Sequence, residues 1–219
     1  MPPSRSRHPL RYAFSLMATD WWYGLIPFTL INLLWAVMVL TVVAGPPATA
    51  ALLYVARESA VGQGTEPSNF FYALRLLFWR AWRFALVTAV GTLVLTADLK
   101  YYSDQLAGTG IVYGVGITLL VYVLLLWLEL LLLAWPMLVD QPEMRLRHVL
   151  RNSAILTLRA PGANLGLALL VLLLTAFSIF FSPLLALGMG ALLALLVQHY
   201  LNFQAPTLAA FPPRPGEEV

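Results

Sequence analysis

Between Ile111 and Val139 the chain carries a single charged side chain, Glu129. About 20 apolar residues in a helix cover the ~30 Å hydrocarbon core of a bilayer, so this stretch is long enough to cross one. A soluble domain would have to bury such a helix on every side behind a polar shell. The rest of the chain has no such shell to offer. Of its 219 residues 60% are hydrophobic and 11% charged, and the mean hydropathy is +0.80. These values exclude a soluble enzyme and a disordered chain, and they make the lipid bilayer the main solvent. The net charge of +3 comes from arginines grouped between apolar runs, as at the flanks of membrane spans, so nucleic acid is not an expected partner. The absence of Cys excludes disulfides, thiolate metal sites and cysteine nucleophiles.

The expected fold is all-α: a polytopic transmembrane helical bundle with about five long spans plus one short or re-entrant segment. Residues 1–20 form an N-terminal segment, residues 21–203 one transmembrane domain, and residues 204–219 a tail. The spans are placed at 21–43, 84–103, 111–139, 163–181 and 184–203, with the short segment at 47–61. Gly45-Pro46-Pro47 marks a helix break after the first span, read as a tight turn, because two prolines remove two backbone donors. Phe70 to Arg83 alternates aromatics with Arg75, Arg80 and Arg83 and suits an interfacial helix that ends where Phe84 enters the membrane. From Pro142 to Ala160, Leu146, Val149, Leu150, Ser153 and Leu156 recur at helical spacing opposite Arg147, His148, Arg151 and Asn152, the pattern of a basic amphipathic helix on a membrane surface. Ser182-Pro183 is the expected turn between the last two spans.

Arginines cluster before the first span (Arg5, Arg7, Arg11), from Arg57 to Arg83, and from Arg145 to Arg159. The positive-inside rule puts these regions on the cytoplasmic side of the membrane. The chain must then return between the first two, and the 47–61 segment is the available piece. Both termini are expected inside, with Asp98 to Gly110 outside. Trp21, Trp22, Trp79, Trp82 and Trp135 fall at the inner boundary, and Tyr101 and Tyr102 at the outer one.

Asn32-Leu33-Leu34-Trp35, then Gly45-Pro46-Pro47-Ala48-Thr49-Ala50-Ala51-Leu52, Val55-Ala56-Arg57, the aromatic and basic stretch to Arg83, and Asp98 before Tyr101-Tyr102 together resemble the YesL-like family of bacterial integral membrane proteins. The order and spacing agree over residues 20 to 105. The doubled proline departs from the family's single one, and Arg57-Glu58 is sparser than its usual basic group. The resemblance implies an integral membrane protein of unknown biochemical activity. Its genes often lie beside carbohydrate uptake systems, which points to association with a sugar-uptake permease.

Glu129 is the leading polar candidate. An acidic residue at a span's centre costs about 2.5–3.5 kcal/mol on insertion scales unless it is neutral or paired. Arg80, Arg83, Gln198 and His199 are expected toward its side of the membrane, and both a contact between helices and an ion, proton or ligand role remain open. Asn32, in the middle of the first span, is read first as an interhelical hydrogen bond and second as a substrate contact. Asp98, at the outer end of a span, completes the set. Gly110 with Gly114, Gly162 with Gly166 and Ala186 with Gly190 have small-xxx-small spacing, which permits close packing or a homo-oligomer. His8, His148 and His199 lie in different segments, and no metal-binding or phosphate-binding motif occurs. The expectation is therefore no catalytic residue, no metal, no cofactor and no enzyme. The expected role is a membrane accessory or interaction protein. Its rival is a small autonomous transporter or channel using Glu129 and the break at Gly45 to Pro47.

Overall fold

The computed structural model describes residues 8–105, 110–180 and 188–205. Among them the secondary structure is helical: α1 (Pro9–Tyr23), α2 (Leu25–Leu40), α3 (Gly45–Ala60), α4 (Pro67–Gln105), α5 (Gly110–Asp140), α6 (Leu146–Arg159), α7 (Pro161–Phe180) and α8 (Gly190–Gln204). Among the described residues three helices are long and apolar enough to cross a membrane, over Phe78–Asp104, Tyr113–Asp140 and Pro161–Phe180, or up to four if α1 and α2 count as one broken span. These residues do not confirm the expected count of about five long spans. At 15 residues α8 is too short by itself, and the expected turn at Ser182-Pro183 and the tail beyond residue 205 lie outside the described residues.

The apolar run from Trp21 to Val43 is not one helix. It bends by 96° at Gly24, so Trp21 lies in the last turn of α1, and α2 begins at Leu25. The expected N-terminal segment is consequently helical from Pro9 onward. Across the bend Trp21 stacks on Phe28 with ring centroids 5.9 Å apart. α1 then follows α8 in antiparallel fashion, with Tyr12 against Phe203 at 5.4 Å and Asp20 against His199.

The second correction concerns Gly45-Pro46-Pro47, which begins α3 and does not interrupt a helix. The first N–H groups of a helix have no intrahelical acceptor, so prolines are tolerated there. The chain reverses just upstream, at Thr41 to Ala44, where Val42 has φ 58°. α2 and α3 form a tight hairpin, closed by the Trp35 indole N–H donating to Thr49 Oγ1 at 3.2 Å. Its tip touches α4, where the Trp82 indole N–H donates to Val43 O at 2.9 Å. The short segment expected at 47–61 is this returning helix, and it packs against α2, α4, α5 and α8. Ala48, Ala50, Ala51 and Ala56 are fully buried, and their small side chains let four neighbours approach one helix.

The separate interfacial helix expected at Phe70 to Arg83 is also corrected. It is the first part of the 39-residue α4, which continues through Phe84 with no proline to end it. Gly62 and Gly64, with φ of 79° and 86°, turn the chain from α3 into α4. α4 and α5 pair antiparallel along their length. The Arg80 guanidinium donates to Gln141 O at 2.8 Å, Phe84 meets Trp135 edge-on at 5.0 Å, the Trp127 indole donates to Thr92 Oγ1 at 2.9 Å, and Tyr102 faces Tyr113 at 6.2 Å. The span expected over 84–103 is helical and runs on to Gln105.

The amphipathic pattern of α6 holds, and its apolar face is spent on protein. Val149, Ser153 and Leu156 are buried, and the Ser153 hydroxyl donates to Met137 Sδ of α5 at 3.2 Å. The start of α1, the end of α6, the start of α7 and the end of α8 converge at Asn164. The Asn164 amide donates to Leu156 O and Thr157 O at 3.0 Å each and so caps the open carbonyls of α6. Its oxygen accepts from Tyr200 at 2.6 Å and from Gln204 at 3.2 Å. Gly166, one half-turn on, faces Leu10. Both ends of the described chain therefore lie at the same end of the bundle.

Candidate functional site

The most densely polar region of the interior is built where three distant helices meet. α3 contributes Arg57 from its last turn, α5 contributes Asp140, its final residue, and α8 contributes Gln198. Arg57 Nε lies 2.8 Å from Asp140 Oδ1, with side-chain exposures of 7% and 2%. A second guanidinium nitrogen donates to Asp140 O at 3.2 Å. The Gln198 amide donates to both Asp140 carboxylate oxygens, at 3.0 and 3.3 Å, and to Asn202 Oδ1 at 3.3 Å. Together with Arg80 on Gln141 O, two arginines cover carbonyls at the end of α5, where the helix dipole is negative. Taking an ion pair out of water largely cancels its Coulombic gain, so this cluster sets geometry more than it adds stability. It locks α3, α5 and α8 in one arrangement.

One residue beyond Gln198 and so turned about 100° around α8, His199 lies 2.8 Å from Asp20 Oδ2 of α1. The side chain of Asn32, fully buried, accepts from the Ala191 N–H at 3.1 Å and so caps the start of α8. This is the interhelical hydrogen bond expected of it.

The polar residues expected near Glu129 are spent elsewhere: Arg80 on Gln141, Gln198 on Asp140 and His199 on Asp20, while Arg83 is exposed. Asp98 is exposed near the far end of α4. Gly45 and Pro46 are half-buried and Pro47 buried in the first turn of α3, where they shape the hairpin, and they are not part of the lining of the cleft that Glu129 faces. Glu129 itself is 6% exposed and faces a cleft of about 290 Å³ between α5 and α7, and its Oε2 has no hydrogen-bond partner among the described residues. Of the small-residue pairs, Gly190 is filled from within by Asn32 and Trp35, Gly166 meets Leu10, and Gly114 and Gly162 face open space. Ala186 lies outside the described residues.

Arg57 and Asp140 were not legible as a pair. Arg57 reads as a loop cation after an Ala-rich helix and Asp140 as the polar end of a span. The one available signal was an arginine only two turns past a run of alanines suited to close packing.

The family model described as Protein of unknown function, DUF624, matches residues 28–99. Over 187 residues the chain is 30% identical to Uncharacterized protein YesL of Bacillus subtilis (strain 168), covering 80% of this chain and 82% of that protein. The chain belongs to the YesL-like family. No solved structure matches it. The DUF624 model covers most of α2, all of α3 and most of α4, and so includes Asn32, Arg57 and Arg83. Glu129, Asp140, Gln198 and His199 lie beyond it. That model thus takes in the arginine of the buried pair and stops short of its carboxylate.

Proposed function

We propose that this YesL-like protein is a non-catalytic, multi-pass protein of the bacterial cytoplasmic membrane that works by packing against another membrane protein, with a sugar-uptake permease as the first partner to test. The observation that carries this reading is the contrast between its polar and apolar groups. Arg57, Asp140, Gln198, His199 and Asp20 are engaged with one another inside the bundle. A solute path needs facing polar groups along its length, and these are tied up as bolts between helices. Large apolar side chains on α4, α5 and α7, such as Val90, Leu93, Leu119, Leu172 and Leu173, are exposed and available to lipid or to another helix. The carbohydrate link comes from the family resemblance.

Purification from the native host in mild detergent tests the reading: a sugar-uptake permease is expected in fixed ratio to the protein, and the purified chain alone is expected to move no sugar or ion across liposomes. The rival reading, a small transporter or channel, draws on the unpartnered oxygen of Glu129. Solute movement by the chain alone, abolished by Glu129→Gln, establishes that rival. The proposed topology has both termini and α6 on the cytoplasmic side. Labelling of intact cells with an impermeant thiol reagent checks it, with Ser103→Cys reacting and Ser4→Cys and Arg147→Cys protected. Arg147 is the α6 probe because it is exposed, whereas Ser153 is enclosed.

A further inference from the structure

We propose that the cleft between α5 and α7 is a docking groove for a transmembrane helix of a partner protein that bears a lysine or arginine near the middle of its span, with Glu129 as the group that receives it. This rests on the reading of the protein as a membrane interaction partner and names the surface that does the work.

The walls of the cleft are two helix faces. Leu125, Leu128 and Leu132 line it from α5, and Ala168, Leu169 and Leu172 from α7, at spacings of three and four residues. Rows of this kind run along the helix axes, so the space between them takes a rod-shaped apolar body. Glu129 is the charged residue in this lining, nearly enclosed, with one carboxyl oxygen buried and unpartnered among the described residues. On the same helix Asp140 shows what a buried carboxylate in this protein receives when its partners are internal: a guanidinium at 2.8 Å and an amide at 3.0 Å. An unmet carboxyl group in an apolar cleft is complementary to a donor brought from outside.

Depth decides between occupants. Glu129 is about 16 Å along α5 from Asp140, close to the middle of the Tyr113–Asp140 span. A phospholipid keeps its charged headgroup at the boundary, and its phosphate is repelled by a carboxylate. A second copy of this chain offers no basic residue in the middle of a candidate span among the described residues, since Arg80, Arg83 and Lys100 lie toward the ends of Phe78–Asp104. A different helix with a mid-span cation meets both the shape and the charge.

The test uses the purified full chain in phosphatidylcholine liposomes and synthetic Leu/Ala transmembrane peptides, with association read by fluorescence energy transfer. The peptide with a central Lys is expected to bind roughly tenfold tighter than the same peptide without it, the scale of one interhelical polar contact. Moving the Lys to the peptide end, or replacing it with Glu, should abolish the preference. Glu129→Gln should also abolish it with the thermal unfolding midpoint unchanged, and Glu129→Asp should retain part of it. Ala168→Phe should weaken every peptide by filling the groove. Equal binding of all peptides, or a preference that survives Glu129→Gln, overturns the proposal. So does saturable binding of a long-chain alkylammonium in a Glu129-dependent manner without peptide binding, which would make the cleft an amphiphile site. Loss of the peptide preference while a permease still co-purifies removes this groove and leaves the proposed function standing; loss of both removes the reading on which it rests.

Discussion

The two halves of α5 have the same apolar character and different surroundings. From Leu133 to Asp140 most residues are buried against α3, α4, α6 and α8, with Leu133, Ala134, Met137, Leu138 and Val139 at most 1% exposed. From Val115 to Leu128 the same helix is far more open, and Val115, Leu119, Tyr122, Val123 and Leu128 stand exposed. Hydropathy cannot separate these halves, because a leucine facing lipid and a leucine facing protein satisfy the same transfer preference. What separates them is polar chemistry: the packed half ends in the Arg57, Asp140 and Gln198 cluster, and the other half is held in register by the ring contact of Tyr113 with Tyr102 and by Trp127 on Thr92.

The largest effect should come from the packed end. Asp140→Leu leaves Arg57 buried without its carboxylate, and removing one partner of a buried pair costs about 3–5 kcal/mol. The variant should accumulate poorly and unfold at a markedly lower temperature in detergent. Replacing both partners, Arg57→Met with Asp140→Leu, should recover most of the loss, and a double variant no more stable than the single one would show that the pair is needed for more than compensation.

Truncations on the two halves sharpen the comparison. Leu138 is fully buried, and Leu→Ala in packed cores costs about 2–5 kcal/mol, of which the cavity part applies within a membrane. Leu138→Ala should therefore fall toward the lower end of that range. Leu119, 60% exposed, has mostly lipid to lose, and Leu119→Ala should leave the unfolding midpoint nearly unchanged. Equal effects at both positions would mean that the first half of α5 is covered in the membrane.

The smallest effect is expected at the polar contact between α4 and α5. Trp127→Phe removes the hydrogen bond to Thr92, and such interhelical bonds in membranes average about 0.6 kcal/mol. A loss of several kcal/mol would place the stability of the α4–α5 pair in that bond and erase the contrast. Gly91, where an added Cβ would lie 2.6 Å from the Trp127 ring, explains why the two helices approach closely enough to form it.

Legibility followed range. α5 and α7 were visible because hydropathy is a local property summed over a span, and α6 because its two faces alternate at helical spacing. Gly45-Pro46-Pro47 marks a break between two helices in the sequence, and the structure moves the reversal a few residues upstream, to Thr41 to Ala44, with the proline pair in the first turn of the next helix, where the missing N–H groups cost nothing. The bend at Gly24 was missed because apolar residues run across it without a change in composition. Among the polar residues, the role of Asn32 followed from its place in a span, whereas the partners of Gln198 and His199 did not.

By itself the sequence determined that this chain is helical, that it carries runs apolar and long enough to cross a membrane, and that it resembles the YesL-like family, since composition, helical periodicity and motif order all act locally along the chain. The tertiary structure decided which apolar faces meet protein, which polar residues meet each other, and that Glu129 keeps an oxygen without a partner among the described residues. Arg57 and Asp140 are separated by 83 positions in sequence, and their pairing depends on how α3, α5 and α8 cross. A charge in an apolar segment announces that it needs a partner, but the choice among distant candidates is made by helix packing, where an ångström of displacement or half a turn of rotation exchanges one partner for another.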